Sequence, residues 1–100
     1  MAKRNKHRGS SFDKFLREQG MYEDVQAAAV KRAVAVAIED GMLEAGLTKY
    51  AMAKRMHTSR SQLDRVLDPA YTAVQLGSVV RAAAALGHEL RISFKRSNRT

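Results

Sequence analysis

The stretch from Leu47 to Pro69, LTKYAMAKRMHTSRSQLDRVLDP, decides the fold. Thr48 offers a side-chain oxygen to the free N–H groups of a helix start, and Ala51, Met52 and Met56 recur at the interval that puts them on one helical face. The spacing predicts a helix from Lys49 to Met56. Ser59, with Gln62 three residues on, reads as a capping box in which Ser59 accepts the Gln62 backbone N–H and Gln62 reaches back. The next helix therefore starts near Arg60. Leu63, Val66 and Leu67 fall on its inner face, which leaves Arg60, Ser61, Asp64 and Arg65 pointing outward. The pair forms a helix-turn-helix unit whose bases, Lys49, Lys54, Arg55, Arg60 and Arg65, stand against a single internal acid, Asp64.

On the N-terminal side, Asp24 to about Ala45 favours one long helix. Val25, Ala28, Ala29, Ala33, Val36, Ala37 and Met42 keep helical spacing, and Val30, Val34 and Ile38 occupy a neighbouring face. So wide an apolar arc predicts a helix packed on both sides. Gly46 ends it, with Leu47 closing a Schellman-type stop, and Gly41 is either a weak point or a place of close approach. Glu39, Asp40 and Glu44 gather near its C-terminal end, where the helix dipole disfavours negative charge. Before it, Ser10 or Ser11 can cap a short helix carrying Phe12, Phe15 and Leu16, which Gly20 can end. Residues 1–10 are polar and basic, and are expected to be a disordered arm.

On the C-terminal side, Asp68 and Pro69 stop the chain. Gln75 to Leu86 resumes helical spacing through Leu76, Val79, Val80 and Ala83, with Val74 able to staple onto Val79 and Gly87 as the stop. The period then changes from 3.6 to 2, as Leu90, Ile92 and Phe94 alternate with Glu89, Arg91 and Ser93. A solitary strand lacks a ladder, so its partner is expected from another chain. A twofold-related copy gives a homodimer, a foreign sheet edge gives a heteromeric complex, and the alternative is an extended tail against its own helices. The fold class is thus mainly all-α, five helices and one C-terminal strand, with residues 11–94 forming the domain and 95–100 a basic tail.

Charge narrows the partner. The net +8 of the 100 residues is concentrated at the ends: Lys3, Arg4, Lys6 and Arg8 at one, Lys95, Arg96 and Arg99 at the other, with no acids among them. The remainder is nearly neutral but polarised, since Ser11 to Ala45 has four bases against seven acids and Thr48 to Leu67 has five bases against one acid. A basic face and an acidic flank suggest two partners. With no cysteine, disulfides and thiolate metal sites are excluded, and His7, His57 and His88 are too scattered to form a ligand set. No metal or cofactor is expected. His88 and Ser93 have neither an orienting acid nor a nucleophile elbow, so no enzyme is expected. No stretch approaches the roughly 20 apolar residues of a membrane span, and the N-terminus lacks a signal-peptide apolar run, so the expected location is cytoplasmic.

The run GLTKYAMAKRMHTSRSQLDRVLDP, followed by a short loop, an Ala-rich helix ending ALG and the segment LRISF, resembles the Xre-type helix-turn-helix regulators, and among them the HigA-type antitoxins, over about residues 20–94. The resemblance implies a dimer on a palindromic operator in double-stranded DNA. In antitoxin members it also implies neutralisation of a RelE-fold, messenger-RNA-cleaving toxin and repression of the shared operon. By position it implies a phosphate contact at Lys49, base contacts at Arg60 and Ser61, and further contacts at Asp64 and Arg65. Two positions depart from the pattern: His57 stands where Gly is usual in the turn, and Gln75 where Ser or Thr caps the following helix.

Arg60 and Arg65 suit a fork onto guanine, although Arg60 and Asp64 are also spaced for an ion pair across one helical turn. Asp64 is best read as orienting the arginines. Thr48, Lys49, Lys54, Arg55, Thr58, Ser59 and Gln62 flank the helix entry and suit phosphate. Leu90, Ile92 and Phe94 are the expected dimerisation residues. Phe12, Phe15 and Leu16 with Glu18, Glu23 and Asp24 are the expected toxin-binding surface, because a basic RNA-binding toxin would be complementary to an acidic flank. Two alternatives are a solitary regulator without a toxin and an inhibitor of the toxin for which DNA binding is accessory.

Overall fold

A computed structural model describes residues 2–97, with side chains from Ser11 onward. It is mainly helical: α1 (Ala2–Ala45), α2 (Lys49–Met56), α3 (Arg60–Leu67) and α4 (Leu76–Ala85). The most visible departure from expectation is that the two N-terminal helices are one. α1 runs through Gly20 without a stop, so four helices replace the expected five, and the backbone of residues 2–10 continues the helix where an arm without structure was expected. Gly20 has no atom within 4 Å of where a Cβ would stand and does not adopt a positive φ. It therefore behaves as an interior glycine, at a cost of about 1 kcal/mol relative to alanine, which its helix-forming neighbours tolerate.

Only the C-terminal half of α1 belongs to the body. Lys31, Ala35, Ile38 and Met42 are buried, on one face at helical spacing. Met52, Leu63 and Val66 are the most enclosed side chains, and with Met56, Leu67, Ala53 and Ala82 they form a single core between α1, α2, α3 and α4. Val25, Val30 and Val36 stay exposed, so the expected packing of α1 on both sides is not present within one chain. The principal extents, 62 × 29 × 18 Å, reflect this shape. The long axis is nearly the length of α1, about 66 Å at 1.5 Å per residue.

Three of the helices end alike. Gly46, His57 and Gly87 take positive φ of 67°, 55° and 76°, and each is followed by the bond that closes a Schellman motif: Leu47 N–H to Met42 O, Thr58 N–H to Ala53 O and His88 N–H to Ala83 O. Gly41 proves to be a close approach, since a Cβ there would lie 2.7 Å from Leu86 Cδ1. Beyond Gly87 the chain has no regular structure through Ser97, and among the described residues there is no strand. The period-2 pattern of Leu90, Ile92 and Phe94 finds no ladder among the described residues. No helix of the described residues is long and apolar enough to cross a membrane.

Candidate nucleic-acid interface

The helix starts that aim the basic face are built as the spacing predicts. Thr48 Oγ1 accepts the Ala51 N–H at 3.1 Å, and Ser59 Oγ accepts the Gln62 N–H at 3.1 Å. The expected return arm of the capping box does not form, because the Gln62 side chain makes no hydrogen bond to Ser59. The turn between α2 and α3 is made by His57, at φ 55° and ψ 47°. A left-handed imidazole-bearing residue is less strained than a branched one but more than glycine.

With the caps set, Leu63, Val66 and Leu67 bury the inner face of α3, and Arg60, Ser61, Asp64 and Arg65 are all exposed on the outer one. Asp64 sits at the centre of the charge pattern. Its Oδ1 lies 3.5 Å from Arg60 Nε and 3.6 Å from Lys49 Nζ, tying the start of α2 to the start of α3. These groups are about half exposed, where such pairs contribute at most about 1 kcal/mol. Their effect is therefore to hold the Lys49 and Arg60 cations side by side, not to hold the fold.

The other cations divide. Arg65 places its guanidinium over the Tyr71 ring at 5.7 Å, and Lys54 lies over Tyr50 at 5.5 Å, and both cations remain exposed. Arg55 differs from its expected role, since Nη1 donates to Ala85 O at 3.1 Å and so caps the end of α4. Thr58 is half-buried in the turn, and Gln62 is exposed beside Arg60. The expected toxin-binding residues Phe12, Phe15, Leu16, Glu18, Glu23 and Asp24 are exposed on the free half of α1, away from α3. Ile92 and Phe94 are exposed, and Leu90 is half-buried.

One residue that supports the interface is not among those expected from the sequence. Lys31 is 3% exposed, and its ammonium donates to Arg65 O at 2.9 Å and to Asp68 O, the carbonyls at the C-terminal end of α3. A cation there complements the negative end of the helix dipole. Burial pushes its pKa below the usual lysine value, opposed by the Asp68 carboxylate. The signal was present as a lone base in register with Ala35, Ile38 and Met42 on the core face of α1.

No family model, curated protein or solved structure matches this chain.

Proposed function

We propose that the chain is a sequence-specific repressor that reads double-stranded DNA through α3, works as a homodimer on a palindromic operator, and is the antitoxin of a type II pair that neutralises a RelE-like ribonuclease. The observation that carries the DNA reading is the outer face of α3. Arg60, Ser61, Asp64 and Arg65 are presented together, on a helix anchored by Ser59 at one end and Lys31 at the other. Arg60 reads a base, Lys49 and Thr48 hold phosphate, and Asp64 fixes the direction of both cations. An eight-residue helix reaches only a few base pairs, so two copies are needed for an operator, and half-sites one turn of duplex apart need recognition helices about 34–36 Å apart.

The test is Arg60→Ala at fixed salt on the chain's own promoter. The expected loss is about 1–3 kcal/mol, roughly 5- to 150-fold in affinity, with the helical content unchanged. Unchanged binding would mean that Arg60 reads no base.

A second reading makes toxin inhibition the main activity and DNA binding accessory. It is favoured by the free half of α1, where Phe12 and Phe15 are 60% and 56% exposed beside Glu18, Glu23 and Asp24. Deleting residues 1–24 and co-expressing the product of the neighbouring reading frame separates the two. Full protection by the truncated chain would remove this segment as inhibitor, and a neighbouring frame that is harmless alone would favour a solitary regulator.

A further inference from the structure

α1 carries an apolar stripe far longer than the body covers. Phe12, Phe15, Leu16, Val30, Ala33 and Ala37 lie along one side of the helix and are exposed, and the C-terminal part of the stripe forms one wall of a groove of about 870 Å³. The opposite walls are Val79 and Ala83 of α4, Leu86 at its C-terminal cap, and the segment bearing Leu90, Ile92 and Phe94. Bulky side chains therefore stand at the free end of the stripe, and small ones floor the hollow at the other. Charge follows the same division. The N-terminal residues 3–8 hold Lys3, Arg4, Lys6 and Arg8, while Glu39, Asp40 and Glu44 crowd the C-terminal end against the helix dipole, with no ion pair among the described residues.

We infer that this stripe is the seat of a second copy of the chain, laid antiparallel along α1, so that Phe12, Phe15 and Leu16 of each copy fill the groove of the other. Antiparallel pairing about a twofold brings Phe12 opposite the partner's Ala37 and Phe15 opposite the partner's Val34. The same register sets position 8 opposite Gly41 and position 4 opposite Ala45, each one residue from an acid, Asp40 or Glu44, so each basic end faces an acidic one. A parallel pair would set like charge against like and bulk against bulk. Self-complementarity of both shape and charge is the mark of an isologous interface. Gln19, Glu23 and Gln26 fall around the twofold, where polar groups reduce affinity and fix register. Leu90, Ile92 and Phe94 then serve dimerisation with their side chains over the inserted helix, without a ladder.

The pairing also spaces the recognition helices. The midpoint falls between Asp24 and Val25. Lys31 reaches the end of α3, and Leu67 lies with Glu39 and Met42, so α3 sits against α1 about eleven residues from that midpoint, and two copies are about 33 Å apart along the helix. One turn of duplex asks for 34–36 Å. The inference deepens the operator reading proposed above, while its test stands apart from it.

Because the chain has no cysteine, Phe12→Cys and Ala37→Cys can be combined in the full-length protein and oxidised at tens of micromolar. The double variant should give a covalent dimer and each single variant none, since a parallel pair would link each position to itself. In sedimentation equilibrium at low salt, Asp40→Lys with Glu44→Lys should weaken the dimer at least ten-fold at unchanged helical content, and adding Arg4→Glu with Arg8→Glu should restore it. A chain monomeric at 100 μM, crosslinking by the single variants, or no rescue by the charge exchange overturns the pairing, and a stripe that captures only a foreign protein counts as the first of these. A dimer that passes these tests but ignores the promoter refutes the DNA reading alone. Promoter binding that survives loss of the dimer refutes the pairing alone.

Discussion

Replacing Lys31 separates the two contributions that anchor the recognition helix. Methionine keeps the apolar stem in its slot between α1 and α3 and deletes only the ammonium. What is lost is two hydrogen bonds from a charged donor, to Arg65 O and Asp68 O, each worth about 1.5–3 kcal/mol before compensation. What is recovered is the desolvation cost of a buried ammonium, several kcal/mol in effect. Neither carbonyl is left without a donor, because Arg65 O also accepts the Asp68 N–H at 3.4 Å and Asp68 O the Tyr71 N–H at 3.1 Å. The balance is a loss of about 1–2 kcal/mol. Lys31→Ala removes three further buried stem groups at about 0.8 kcal/mol each and should cost about 3–4 kcal/mol in all, a large share of the 5–15 kcal/mol typical of a small domain. Urea unfolding followed by tyrosine fluorescence reads this, since the chain has no tryptophan and Tyr71 borders α3. A methionine variant as stable as the parent, or one no more stable than the alanine variant, would refute the anchoring role of the ammonium.

Three other outcomes are expected. Because the native pKa of Lys31 is lowered, the unfolded chain keeps this proton in a pH window where the folded chain has lost it. The stability advantage of the parent over Lys31→Met should therefore grow as pH rises from the lowered value toward 10.5, as read by urea titrations at several pH values. His57→Gly should stabilise the fold by about 0.5–1 kcal/mol by relieving the left-handed turn, seen as a higher thermal midpoint; a lower midpoint would mean that the imidazole has a compensating contact. Gln75→Ser should add about 1 kcal/mol, since Gln75 begins α4 without a side-chain cap, and no change in midpoint would show that water already satisfies those N–H groups.

The parts of the fold readable from sequence are those set by neighbours in the chain. Thr48, Ser59 and Gly46 each satisfy helix-end groups within a few residues, so α2 begins and ends where the spacing puts it and α3 begins at Arg60. The outer face of α3 followed from the same local periodicity. Gly20 is ambiguous in the sequence because a glycine weakens a helix by about as much as it helps to end one, and the unbroken course of α1 without a positive φ there shows which happened. The segment Leu90 to Phe94 has strand periodicity, but a strand exists only with a ladder, which one chain does not supply. The contacts of Lys31 and Arg55 escaped because their acceptors, Arg65 O and Ala85 O, lie 34 and 30 residues away, beyond the reach of local spacing, and charge alone suits Arg55 to phosphate.

The free half of α1 has a consequence for exchange kinetics. From Ser11 to Val30 no residue is buried, so its amide hydrogen bonds are held by helix propensity alone, whereas those beyond Lys31 are held by the core. Nucleating a helix is costly and propagating it is nearly neutral, so opening should proceed inward from the N-terminus. Amide protons should be lost along a gradient, fastest toward the start of α1 and slowing residue by residue from Phe12 until Lys31, where protection rises to that of global unfolding. Any partner seated on the stripe would turn that gradient into a step. The residue at which the step falls would measure, amide by amide, how far along the helix the partner reaches.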